Sequence, residues 1–237
     1  MQPESSPFGA RKEVGMTLVK ELVRREQHIP MTYEEFLTTL DESVHAEWVD
    51  GEAIIFMPPI PRHQDVVHFV ATLLRMFAEW RNLGSVLIAP LEMKLQPHGN
   101  VREPDILFVA NEHLDRISDK RLEGPADLVI EVISTESVKR DRDDKFYEYQ
   151  DAGIREYWVL DARPNRVRAD FYILDSHGRY RAMPVNEDDI YYSTLLPGFW
   201  FDVSWLFQDQ LPNILPTFAQ IIGHEQLIAA LPEPGQS

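Results

Sequence analysis

The run Leu128-Val129-Ile130-Glu131-Val132-Ile133 is apolar on both faces of an extended chain, the pattern of a strand buried at the centre of a sheet, and one carboxylate interrupts it. Taking an ionised group out of water costs several kcal/mol unless it is paired or coordinates a cation, so Glu131 requires a partner. A structural salt bridge and a functional cation both answer that requirement. Downstream, residues 136–152 read as helical, with Gly153 at the C-terminal stop. At about 100° per residue Lys145 shares a stripe with Val138, Arg142, Tyr149 and Ala152, the half-apolar face that packs toward the sheet. A lysine there must find negative charge or snorkel to water along its stem. Glu131 lies on the strand that feeds this helix.

Upstream, Pro104-Asp105 leads the apolar segment Ile106-Leu107-Phe108-Val109, which puts Asp105 at the N-terminal end of a strand, a place that plain turn chemistry also favours. Strands are expected at 86–95 and 101–110, joined through Pro97-His98-Gly99-Asn100, and at 127–134, all three in one sheet. Val66, Val67, Phe69, Val70, Leu73, Leu74, Phe77 and Trp80 recur at helical spacing and predict a long core helix over 65–82, closed near Gly84. Further out, Asp50-Gly51 marks a hairpin within 46–57, and Thr32 with Glu35 offers a capping box for a helix ending near Leu40. A short helix over 16–26 follows a disordered tail of residues 1–15. Beyond Ala152 strands are expected at 156–161, 166–174 and 179–185. The segment 194–203 reads as a final strand before a helical, proline-interrupted tail to about 231. The expected fold is α/β, a mixed β-sheet flanked by helices, in a single domain over 16–237.

The chain of 237 residues is 44% hydrophobic, enough for a sizeable core, and contains no cysteine, which removes disulfides, thiolate zinc sites and thiol nucleophiles. No run of about 18 apolar residues is present to span a bilayer, and the N-terminal segment lacks the apolar run of a signal peptide. A soluble, cytoplasmic protein without a membrane partner is expected. There is no Gly-rich phosphate loop and no nucleophile elbow, and the histidine spacings give no zinc motif. Tyr149 and Trp158 read as core aromatics. The net charge of −16 weighs against a nucleic-acid partner, although a partner meets only one face of a protein. Arg163, Arg166, Arg168, Arg179 and Arg181 stand against only Asp170 and Asp175 over 163–181, so that segment is either a basic strip or an ordinary solvated hairpin.

Taken together, Met31-Thr-Tyr-Glu-Glu-Phe36, Glu47-Trp-Val-Asp-Gly-Glu52, Pro104-Asp105-Ile106, the strand 128–134, the segment 141–149 with Lys145, and Ala152-Gly-Ile-Arg-Glu-Tyr-Trp-Val-Leu-Asp161 resemble the Uma family of restriction endonucleases, within the PD-(D/E)XK nuclease superfamily. The resemblance covers roughly residues 30–207. It implies a restriction-endonuclease-like fold and a Mg²⁺ (or Mn²⁺) dependent endonuclease acting on DNA, expected to work as a homodimer. It further implies that Asp105 and Glu131 bind the metal, that Lys145 orients or polarises the attacking water, and that Glu47 helps hold the metal-bound water or a second ion. The superfamily places its lysine two residues after the glutamate. Ile133 stands there in this chain, so the resemblance implies a lysine that has moved to the following helix. Thr135 also departs from the proline usual after the serine. The family tends to show histidine near His63, for which a cap or core role and a phosphate-contacting role both remain open; His68 reads more simply as a cap or core residue. A non-catalytic nuclease-fold module and a hydrolase of another phosphate ester are the competing readings.

Overall fold

The structure is a computed structural model and describes residues 27–40, 44–56, 60–134, 137–138, 140–163 and 166–230. Contacts group the chain into two compact units, Met1–Pro58 and Pro59–Ser237. The expected tail over 1–15 and helix over 16–26 lie outside the described residues. In the first unit, β1 (Gln27–Pro30), α1 (Tyr33–Thr39), β2 (Ala46–Val49) and β3 (Glu52–Ile55) follow one another, with the strands antiparallel in the order β1-β3-β2. The capping box forms: Thr32 Oγ1 accepts from Glu35 N–H at 3.2 Å, and the Glu35 carboxylate accepts from Thr32 N–H at 2.8 Å. Asp50 and Gly51 both take positive φ, 49° and 88°, which the two-residue hairpin turn requires. Phe36, Ala46 and Ala53 form a small core against Tyr33 and Trp48.

The larger unit runs α2 (Pro61–Arg81), β4 (Gly84–Ile88), β5 (Glu92–Lys94), β6 (Val101–Arg102), β7 (Ile106–Ala110), β8 (Arg121–Glu123), β9 (Leu128–Val132), α3 (Lys145–Ala152), β10 (Glu156–Asp161), β11 (Arg168–Leu174), β12 (Tyr180–Met183), β13 (Ile190–Tyr192), β14 (Trp200–Asp202), α4 (Ile214–Ile222) and α5 (His224–Ala230). Its main sheet has the order β12-β11-β10-β9-β7-β4. Only β9 and β10 pair in parallel, joined through α3. A parallel pair needs such a crossover, and the helix covers one face of the sheet. The central strands β7, β9 and β10 are buried throughout.

Alternation along these strands sorts two cores. Ile106, Phe108, Leu128, Ile130, Trp158 and Leu160 pack with Val66, Val70, Leu73 and Phe77 of α2. Leu107, Val109, Val129, Ile133, Tyr157 and Val159 pack with Tyr149 of α3 and Ile154. By the same alternation Asp105 and Glu131 belong to the second face, the one that α3 covers.

Several expected boundaries shift. The long helix begins at Pro61, not Asp65, because proline at the first helical position gives up no hydrogen bond and its fixed φ suits a helix. It closes at Asn82 in the left-handed conformation, before Gly84. The strands expected at 86–95 and 101–110 each break near a proline, Pro90 and Pro104, and their inner parts β5 and β6 leave the main sheet to pair with each other and, through β5, with β8. The three expected strands therefore do not share one sheet along their full length. A hairpin of β13 and β14 replaces the single expected final strand. No helix among the described residues is long and apolar enough to cross a membrane.

Candidate active site

Register brings the first two residues together. Antiparallel β7 and β9 pair Ile106 with Ile130, the chain neighbours of Asp105 and Glu131, and alternation assigns both carboxylates to the face covered by α3. Asp105 is anchored across the strands: its Oδ2 accepts from Val132 N–H at 2.7 Å and lies 3.3 Å from His63 Nε2. Its side chain keeps 19% exposure, which leaves that edge of the site open to solvent, while Glu131 keeps only 3%.

Helix α3 supplies the cation that Glu131 requires. Lys145 Nζ and the Tyr149 hydroxyl, one turn apart, both donate to Glu131 Oε1 at 2.8 Å. Lys145 also lies 3.5 Å from Oδ1 of Asp141, one turn earlier. The helix enters through a π-helical turn, Arg140–Asp144, a feature frequent at functional sites. Asp141, four residues before Lys145, faces the site with it as helical spacing places it, and Arg142, expected on that stripe, instead pairs with Asp161 and Asp170. Gly153 then ends α3 with φ 84°, where a side chain would be strained.

The electrostatics follow from burial. Desolvation opposes a charged His63, yet the hydrogen bond and charge of Asp105, with Glu131 behind it, outweigh that and hold the imidazole pKa above its ordinary value. Burial raises the Asp141 carboxyl, against the pull of Lys145 and Arg140. The His63 Nδ1 and Asp141 Oδ1 atoms are buried without a hydrogen-bond partner.

Asp105, Glu131 and Lys145 thus meet in one place, with His63, Tyr149 and Asp141 beside them. Glu47 stands on β2 of the first unit with a fully buried side chain. Tyr149, read from sequence as a core aromatic, is both that and a ligand of Glu131; its spacing four residues after Lys145 was the available signal. His68 lies exposed on α2, so it is neither a cap nor a core residue. Of the arginine strip, Arg163, Arg168 and Arg181 pair with Asp161, Asp170 and Asp175. A second cluster, Glu112, His113 and Asp127, brings ligand atoms within 4.8 Å of one another beside the opposite ends of β7 and β9. There Arg155 already lies 3.6 Å from Glu112 and 3.5 Å from Asp127, supplying a positive charge.

A family model described as "Putative restriction endonuclease", Uma2, matches residues 33–204. The chain belongs to the Uma2 family. Among solved structures, it is similar to the crystal structure of "a putative nuclease belonging to DUF820" from Anabaena variabilis ATCC 29413, with a TM-score of 0.59 and 14% identity over 75% of this chain and 98% of that one. At that identity the likeness concerns the fold, which is the restriction-endonuclease-like α/β arrangement. No curated protein matches the chain.

Proposed function

We propose that this Uma2 protein is a Mg²⁺-dependent endonuclease that hydrolyses DNA phosphodiester bonds. The observation that carries the reading is that Asp105 accepts from Val132 N–H, next to Glu131 in β9, while Lys145 donates to Glu131. The donor set suits a hard divalent cation: carboxylate oxygens predominate, no thiolate exists in the chain, and Asp105 keeps an edge open to solvent. Asp105 and Glu131 would hold the ion, and the family resemblance adds Glu47 to the same set. When bound, the ion would neutralise charge at the scissile phosphate and make a water nucleophilic at neutral pH. Lys145 orients the attacking water through its ammonium, Tyr149 fixes the Glu131 carboxylate, and His63 holds Asp105 from the other side. A homodimer follows from the substrate, since two sites related by a twofold axis are the simplest way to cut both strands of a duplex.

A second reading has an observation behind it. The paired arginines of 163–181 and the net charge of −16 favour a hydrolase of a smaller phosphate ester over one that grips a duplex. Incubating supercoiled plasmid with the purified protein, with and without Mg²⁺, separates the two. Metal-dependent nicking or linearisation is expected. No cleavage of any DNA, alongside turnover of a small phosphodiester, replaces the first reading with the second.

A further inference from the structure

Asp141 is a buried carboxylate that the proposed reaction leaves without a task. It is 1% exposed, its N–H donates to Ser137 O at 2.9 Å, and its carbonyl accepts from the buried Tyr157 hydroxyl at 2.7 Å, so its backbone is gripped on both sides. Its Oδ1 is buried and makes no hydrogen bond, although Lys145 Nζ lies 3.5 Å away and Arg140 Nε 3.8 Å. An acceptor left unmade in the interior is costly, and a movement of Nζ by less than about 1 Å would bring it to ordinary hydrogen-bonding distance.

Lys145 is seated instead on Glu131 Oε1 at 2.8 Å, where Tyr149 also donates. An ammonium and a divalent cation on one carboxylate repel each other strongly in a low-dielectric site. We propose that Asp141 is the second seat of Lys145: when Glu131 takes a divalent cation, Lys145 passes from Glu131 to Asp141 Oδ1. Asp141 is then a positioning residue that sets metal affinity through Lys145 without ligating the ion. Tyr149, a neutral donor, keeps its bond to Glu131 through the exchange. The inference rests on Asp105 and Glu131 forming a metal centre.

Mn²⁺ affinity, measured by calorimetric titration without DNA on the wild type, Lys145→Met, Asp141→Asn and the double variant, tests it. Lys145→Met removes the competitor and is expected to bind Mn²⁺ on the order of tenfold more tightly. Asp141→Asn strands the lysine on Glu131 and weakens binding by about the same factor. In the Lys145→Met background the Asp141→Asn change is expected to cost no more than about twofold, because the residue it served is gone. Equal weakening by Asp141→Asn in both backgrounds makes Asp141 a ligand or a remote charge and overturns the exchange. So does a Lys145→Met protein that binds no more tightly than wild type, a result that stands even should Asp141→Asn fail to fold. A wild type that binds no Mn²⁺ overturns the metal centre itself, and the exchange with it.

Discussion

Two glutamates lie buried in neighbouring strands of the main sheet, and their partners differ in kind. Glu156, at the start of β10, is fully buried and, among the described residues, accepts from neutral groups alone: Trp158 Nε1 at 2.7 Å, the Tyr191 hydroxyl at 2.8 Å, Ser193 Oγ at 3.1 Å, Thr194 Oγ1 at 3.3 Å and Leu195 N–H at 3.0 Å. Glu131, in β9, takes an ammonium and a phenol on one oxygen, with Asp105 on the same face of the sheet and Asp141 behind the ammonium. The first carboxylate is enclosed by fixed donors that tie β10 to the segment after β13. The second belongs to a cluster in which two buried carboxylates, Glu131 and Asp141, flank one lysine. Burial alone does not mark function; the nature of the counter-charge does.

The comparison breaks most visibly in stability. Glu156→Ala leaves several buried donors without an acceptor at about 1–3 kcal/mol each, so a loss of roughly 3–5 kcal/mol is expected in urea melts. Its response to Mn²⁺ should stay intact. Should Glu156→Ala instead abolish that response while folding normally, the division of roles between the two glutamates is wrong.

Metal-induced stabilisation gives the next effect in size. Mn²⁺ at a hundred times its Kd should stabilise the wild type by about 2.7 kcal/mol, and Asp105→Asn with Glu131→Gln should remove that gain. A persisting shift in the double variant would move the ion elsewhere, with Glu112, His113 and Asp127 as the next group to vary.

A half-buried carboxylate in a turn completes the series and should matter least. Asp175 accepts from the N–H groups of Arg179 and His177 and from the Arg181 side chain, and these bonds hold its pKa down to about 2. A depressed folded-state pKa contributes stability that is full above the ordinary carboxylate range and is lost as pH falls toward the folded value. The stability difference between wild type and Asp175→Asn should therefore be constant near neutral pH and close between about pH 4 and 2. A difference that grows on acidification would contradict the assignment.

Legibility in the sequence followed how local each cause is. Glu131 was readable because one charge in an apolar run is a local anomaly, and the β9 crossover to α3 followed from Gly153 and helical spacing. The hairpin at Asp50-Gly51 and the Thr32–Glu35 cap are chemistry within four residues, and both formed where expected. Asp141 was legible, since residues four apart share a helix face, but the turning of Arg142 to Asp161 and Asp170, both beyond the helix, was not. Nor was the departure of β5 and β6 from the main sheet. Pro90 and Pro104 mark the breaks, but which sheet a short strand then joins depends on β8, far along the chain. Likewise the pairing of Arg163 and Arg168 with Asp161 and Asp170 set neighbours along one strand or turn that composition counted only as a balance.

The central claim, that Lys145 acts at a metal centre built on Asp105 and Glu131, is tested most directly by single-turnover cleavage of plasmid DNA in Mg²⁺ by the wild type and Lys145→Met side by side. Methionine keeps most of the lysine stem, so the fold and DNA binding should persist while cleavage falls by about a hundredfold or more, the range of acid–base and electrostatic groups. Metal-dependent cutting that proceeds equally fast in both proteins would contradict the account.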